Sequence, residues 1–180
     1  HTSISKNKLS KETAQRVCDQ GLPRLLSLYS KNDIVSTFYF TGEFASQFPK
    51  ALQMVKKHGH EIGCHGYSHK PEHSFDVLSL EKQYLHLQLA KRTIESIVGR
   101  IEAFRAPALR IGNYTPALLE KVGFKTDSSI SPQRFDGPLT FGSMRKLRWL
   151  TAHRDPYYLD KKDNNQLSAA DKKQYKKSRL

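Results

Sequence analysis

The stretch His58-Gly59-His60-Glu61-Ile62-Gly63-Cys64-His65-Gly66-Tyr67-Ser68-His69 carries a short apolar run that ends in two histidines, with three residues between them. An imidazole pair at that spacing sets two neutral nitrogens on one ion, either as i, i+4 neighbours on a helical turn or across a short loop after a strand. The loop is the expected form here. Glu61 to Cys64 reads as a strand after Gly59, and Gly63 and Gly66 both break a helix.

Working outward, Ile34 to Phe40 is dense in β-branched and aromatic residues and reads as a buried strand that stops at Thr41-Gly42. A helix is expected from about Glu43 to Lys57, with Phe44, Phe48, Leu52, Met54 and Val55 apolar. Strand, helix and histidine-bearing strand make a β-α-β unit, which implies a parallel sheet. The alternation continues. Ser79 caps an amphipathic helix ended by Gly99, Glu102 to Arg105 is a short strand, and Thr115-Pro116 opens a helix closed by Gly123. Phe124 to Ile130 is the next strand. Before all of these, Ser10 caps a helix through Val17, Leu22, Leu25, Leu26 and Tyr29, with Pro23 starting a second segment. The order weakens after Pro132. Arg134 to Thr151 reads as irregular strands or a hairpin, and from Tyr158 the chain turns polar and lysine-rich. The expected organisation is α/β, with one domain over residues 1–158 and a basic tail over 159–180 that is mobile or holds a lone helix at Ala169 to Lys177.

Bulk composition bounds the function. The chain has 180 residues, 37% hydrophobic and 26% charged, enough for one domain with a real core. No apolar run is long enough to cross a bilayer. His1 to Ser10 has no apolar core of a signal peptide, and the chain starts without Met, so the compartment stays open between cytoplasm and export. Cys18 and Cys64 do not suggest a disulfide framework. A net charge of +13 favours anionic polymers through general electrostatics. No zinc-finger spacing, helix-turn-helix pattern or RNA-binding sheet motif accompanies it.

In parallel β/α folds, reactive side chains gather at the C-terminal ends of the strands. Three exits deliver candidates: Thr41-Gly42, His65 to His69, and Arg105-Ala106-Pro107. The bland alternative is a structural histidine pair with one ring satisfied by a carbonyl. Two histidines are also one ligand short of a catalytic zinc site, so a carboxylate should complete the set.

The segments Ser36-Thr37-Phe38-Tyr39-Phe40-Thr41-Gly42, Gly59 to His69, Phe104-Arg105-Ala106-Pro107 and Gly123-Phe124-Lys125-Thr126-Asp127-Ser128-Ser129, in this order, resemble the polysaccharide deacetylases, the NodB-homology group of metal-dependent carbohydrate esterases. The resemblance covers about Leu22 to Ser129. It implies a distorted (β/α) barrel, incomplete here, that binds zinc or a similar divalent ion and removes acetyl groups from N-acetylated carbohydrate of polysaccharide or peptidoglycan type. A smaller branch of the family hydrolyses small amides and ureides. Carried onto this chain, it makes His65 and His69 metal ligands and Arg105 the residue that orients the catalytic base. Pro107 and Tyr67 become groove residues, and the Ala108 backbone N–H becomes an oxyanion donor. Many relatives hold an aromatic residue where this chain has Ala108.

Two departures stand out. The family's first motif is a strand ending in paired aspartates, one the base and one the third ligand, and no such strand is read in His1 to Asp19. Asp19 lies within an apparent helix and is a poor substitute. The family's late histidine, a general acid, has only His153 to represent it, weighed against a surface-loop histidine. Trp149, among Arg145, Lys146 and Arg148, is a candidate for stacking on a sugar ring against an ordinary packed aromatic. His58, His60, His73 and His86 read as surface or outer residues. The functions open to the chain are a deacetylase acting on acetylated glycan, an amidohydrolase of a small amide, and a non-catalytic metal- or glycan-binding remnant.

Overall fold

The computed structural model describes residues 10–130 and 155–157. Four strands, β1 (Thr37–Phe40), β2 (Glu61–Cys64), β3 (Ala103–Phe104) and β4 (Thr126–Asp127), pair in chain order. Every ladder is parallel, as successive β-α-β crossovers require. The register sets Tyr39 beside Gly63 and Phe40 beside Cys64. All the strand C-termini therefore open on one edge of the sheet, where the histidine loop leaves β2.

Six α-helices are described: α1 (Lys11–Arg16), α2 (Leu22–Lys31), α3 (Gly42–Gln47), α4 (Pro49–Lys57), α5 (Leu80–Val98) and α6 (Thr115–Val122). Helix α5 is the central buttress, packing on α3, α4, α6 and β2. The Ser79 hydroxyl accepts from the Lys82 N–H at its start, and Gly99, at φ 77°, ends it. Its apolar face, Leu87, Ala90, Ile94 and Val98, is buried with Leu52, Val55, Ile62, Phe75, Phe104 and Leu118 in one core. Phe75 meets Phe104 edge-on, ring centroids 5.5 Å apart, directly beneath the histidine loop.

Three elements differ from the sequence expectation. The helix expected over 43–57 is two helices, α3 and α4, broken at Phe48 (φ −130°, ψ 55°). Pro49 has no N–H to give and pushes the residue before it out of the α region, so an apolar spacing that reads straight through is interrupted. The strand expected from Ile34 begins only at Thr37, with Val35 77% exposed. The last strand shrinks from seven expected residues to the ladder at Thr126–Asp127. At the N-terminal end, a wide π-helical turn (Val17–Gly21) joins α1 to α2, relieving the clash of the Pro23 ring with the preceding turn. Asp19 sits exposed on that turn with both carboxylate oxygens taken by Gln15 Nε2. It is a helix-surface residue.

No helix among the described residues is long and apolar enough to cross a membrane. The expected elements at Arg134 to Thr151 and Ala169 to Lys177, and the whole of the proposed 159–180 tail, lie outside the described residues.

Candidate metal centre

The loop after β2 is held from three sides. The sheet continues into it, with the His65 N–H donating to the Phe40 carbonyl at 2.7 Å and the Arg105 N–H donating to the Cys64 carbonyl at 2.9 Å. From α3, the Gly42 and Glu43 N–H groups donate to the Gly66 and Tyr67 carbonyls at 3.0 and 2.9 Å. The loop turns at Gly66, φ 71°, where a Cβ would sit 3.1–3.2 Å from Phe75 and Pro107. Only glycine combines that left-handed backbone with so close an approach.

This support brings His65 and His69 together. His65 Nδ1 donates to the Arg105 carbonyl oxygen at 2.6 Å, and since a carbonyl only accepts, the proton is on Nδ1 and the lone pair is on Nε2. That Nε2 stands 3.1 Å from His69 Nε2. Zinc holds imidazole nitrogens at about 2.0–2.1 Å, so two nitrogens on one tetrahedral ion stand ~3.4 Å apart. The pair is within a few tenths of an ångström of that separation. Burial takes the His65 ring down to about 4, against the opposing hydrogen bond to Arg105, and burial lowers His69 as well. Both rings are therefore in the neutral form a metal requires near neutral pH. An imidazole pinned through Nδ1 by a carbonyl is the usual support of a metal-ligating Nε2.

The rest of the set is smaller than a complete catalytic site. Among the described residues no third histidine, cysteine, aspartate or glutamate joins the pair. Cys64 is the last residue of β2, but its thiol is fully buried and pushed up to about 12 by desolvation, so it is a core residue. The pair therefore fits two coordination positions of a divalent ion.

Arg105 serves the site twice. Its carbonyl orients His65, and its guanidinium lies 5.8 Å from the centre of the Tyr39 ring. Tyr39 is fixed in turn, because Gly63 leaves room for its ring and its hydroxyl accepts from Ser128 Oγ at 3.1 Å. Below Arg105, Asp127 Oδ1 accepts from the Ser129 N–H at 2.9 Å and from the Ser129 hydroxyl, and Ser129 Oγ accepts from the Ala106 N–H at 2.8 Å. Asp127 Oδ2 is buried without a partner. Desolvation pushes this carboxyl up to about 6, outweighing the Ser129 hydrogen bonds and the Arg105 charge. Asp127, Ser129 and Tyr39 thus clamp the Arg105-Ala106-Pro107 turn. The sequence reading included all three in its motif segments without giving them a role; the available signal was an Asp-Ser-Ser run at a strand's C-terminal end.

Pro107 is buried against Gly66. Ala108 is exposed and takes a left-handed backbone, φ 52° and ψ 18°, followed by Leu109 at φ 56°. Left-handed non-glycine residues cost roughly 1–3 kcal/mol each, so this turn is a strained feature with no mark in the residue pattern. The Tyr67 ring packs over Gly42 and beside His86 and His73, at 5.5 and 6.3 Å between ring centres. His58 bonds the Met54 carbonyl at the end of α4, while His60 is not a surface residue: it is buried between Tyr29 and Phe38. His153 and Trp149 lie outside the described residues.

Comparison with known proteins agrees with this geometry. The polysaccharide deacetylase family profile matches residues 12–126, more than half of the chain. The peptidoglycan deacetylase of Helicobacter pylori is 32% identical over 116 residues, 64% of this chain and 39% of that protein. The chitooligosaccharide deacetylase of Azorhizobium caulinodans is 26% identical over 119 residues, 64% of this chain and 55% of that one. A solved structure from Mycobacterium smegmatis, assigned to the polysaccharide deacetylases, superposes with a TM-score of 0.60 at 28% identity, covering 67% of this chain and 42% of that one. The chain thus spans roughly two fifths to just over half of these relatives. Its parallel sheet with α/β crossovers is a sector of their distorted barrel, and the chain belongs to the polysaccharide deacetylase family.

Proposed function

We propose that this chain is part of a metal-dependent deacetylase that removes acetyl groups from N-acetylated carbohydrate, with His65 and His69 as two ligands of a divalent ion, zinc by the chemistry of its imidazole donors. The observation that carries the proposal is the convergence of two neutral Nε2 atoms at 3.1 Å on the C-terminal edge of the parallel sheet. The names of the Helicobacter and Azorhizobium relatives support an acetylated glycan as the substrate class.

When bound, the ion supplies Lewis acidity to an acetamide carbonyl and acidity to water. The remaining work falls to the chain. The Arg105 carbonyl keeps the His65 proton on Nδ1, and the Arg105 guanidinium, beside the Tyr39 ring, is set to orient a carboxylate base. The exposed Ala108 N–H faces the role of oxyanion donor, worth roughly 3–4 kcal/mol of barrier where such donors have been removed. Pro107 and Tyr67 shape the groove beside it. The family resemblance assigns the third ligand and the base to paired aspartates, and among the described residues no carboxylate joins His65 and His69.

Acetate release from chitooligosaccharides and peptidoglycan fragments tests this. Release that is lost with a chelator, restored by zinc and absent from His65→Ala supports the proposal. Release indifferent to both treatments contradicts it. Hydrolysis of small ureides in place of acetylated sugars would move the protein to the family's amide branch.

A further inference from the structure

We propose that His73 is a positioning residue for the metal site, holding His69 in place through the Ser68 hydroxyl. This rests on the reading of His65 and His69 as ligands. Within the loop, Gly66 and Tyr67 are fixed through their carbonyls by the start of α3. Ser68, immediately before His69, is fixed through its side chain. It is 1% exposed, and its Oγ accepts from the Lys70 N–H at 3.3 Å and meets His73 Nδ1 at 2.6 Å. A short hydrogen bond in a buried place is stronger than one in water and costs most when broken.

His73 is itself well held. It closes a single 3₁₀ turn, Pro71–His73, with its N–H on the Lys70 carbonyl at 2.9 Å. Two residues on, Phe75 is buried in the core against Phe104. The His73 ring stands edge-on to His86 of α5, centroids 4.7 Å apart. The physical chain runs from the core and α5, through His73 and Ser68, to the backbone of His69. His65 has a different support, the Arg105 carbonyl. The two ligands are therefore held by separate devices, and the spacing between their Nε2 atoms depends on both. Metal sites tolerate departures of only about 0.2 Å in ligand distance, so a loosened Ser68 turn weakens binding without opening the core.

Cobalt(II) titration of the chain, followed by its visible d–d bands, tests this alongside the melting temperature of the metal-free protein. His73→Ala should weaken cobalt binding about tenfold, the low end of the effect of outer groups that orient ligands, and alter the d–d spectrum. His73→Asn, whose amide reaches the place of Nδ1, should bind like the parent. Unchanged affinity and spectrum in His73→Ala would overturn the proposal. If His73→Ala fails to fold, the comparison is His73→Asn with His73→Phe, both of which fill the space beside His86: tight binding by Asn and weak binding by Phe supports it, and equal binding overturns it. The double change His65→Ala with His69→Ala separates the two ideas. Cobalt binding that survives it removes the metal reading and this proposal together, whereas binding that is lost there but unmoved by any His73 change removes this proposal alone.

Discussion

Asp127→Asn should gain stability relative to the parent as the pH rises, and the size of that gain can be worked from the site. Asp127 is buried with Oδ2 unpartnered, and desolvation raises its carboxyl from 3.8 to about 6. A group whose folded value is raised contributes stability that is fully present below its unfolded value and is lost as the pH rises through its folded value. The parent therefore loses stability between about pH 4 and pH 6. At about 1.4 kcal/mol per tenfold change in proton affinity, the rise corresponds to about 3 kcal/mol. Asparagine keeps the Oδ1 acceptor for Ser129 and never ionises, so it escapes this loss. Its amide nitrogen replaces Oδ2 without a hydrogen-bond partner, a cost that does not vary with pH. The difference in unfolding free energy, variant minus parent, should climb by about 3 kcal/mol between pH 4 and pH 8. Urea unfolding at several pH values in that window measures it. Parallel stability curves for the two proteins, or a difference that falls as the pH rises, would refute the reasoning.

The remaining predictions concern packing. Gly63→Ala places a Cβ 2.5 Å from Tyr39 Cε1 and 3.0 Å from the Ala103 carbonyl, and overpacking of this kind costs about 1–3 kcal/mol. In a double-mutant cycle, Tyr39→Ala should recover part of that loss; simple additivity of the two changes would show that the ring is not what occupies the space. Leu87→Ala empties a fully buried position of α5 and should cost about 2–5 kcal/mol in thermal or denaturant unfolding. A loss below 1 kcal/mol would mean that α5 does not pack on the sheet as described.

Much of the fold was legible because local and tertiary signals agreed. At α5, the Ser79 cap, the apolar period and Gly99 all define the same helix. At β2, the glycines and the apolar run define a strand, and the histidines that follow it fall at the strand's exit. Disagreement arose where one signal outvoted another. The apolar spacing across Phe48 argued for one helix, while Pro49 imposed a break. Phe124 to Ile130 has strand-like residues, but a strand extends only as far as its ladder, and β3 offers β4 two partners. The His65–His69 pairing and the place of Arg105 beside it were legible, since a histidine pair after a strand is a pattern in the chain itself. Its supports were not. A charged Asp127 reads as a surface residue until β3, β4 and the Arg105 turn bury it. Likewise, Ser68 and His73 become partners only when the turn after the loop folds back on it, and His86 arrives from α5.

The central claim is that His65 and His69 jointly hold a divalent ion, and zinc titration calorimetry tests it most directly. One zinc should bind per chain, and His65→Ala and His69→Ala should each remove most of the affinity, since neither imidazole alone makes a site. Undiminished zinc binding by the chain carrying both changes would contradict the account.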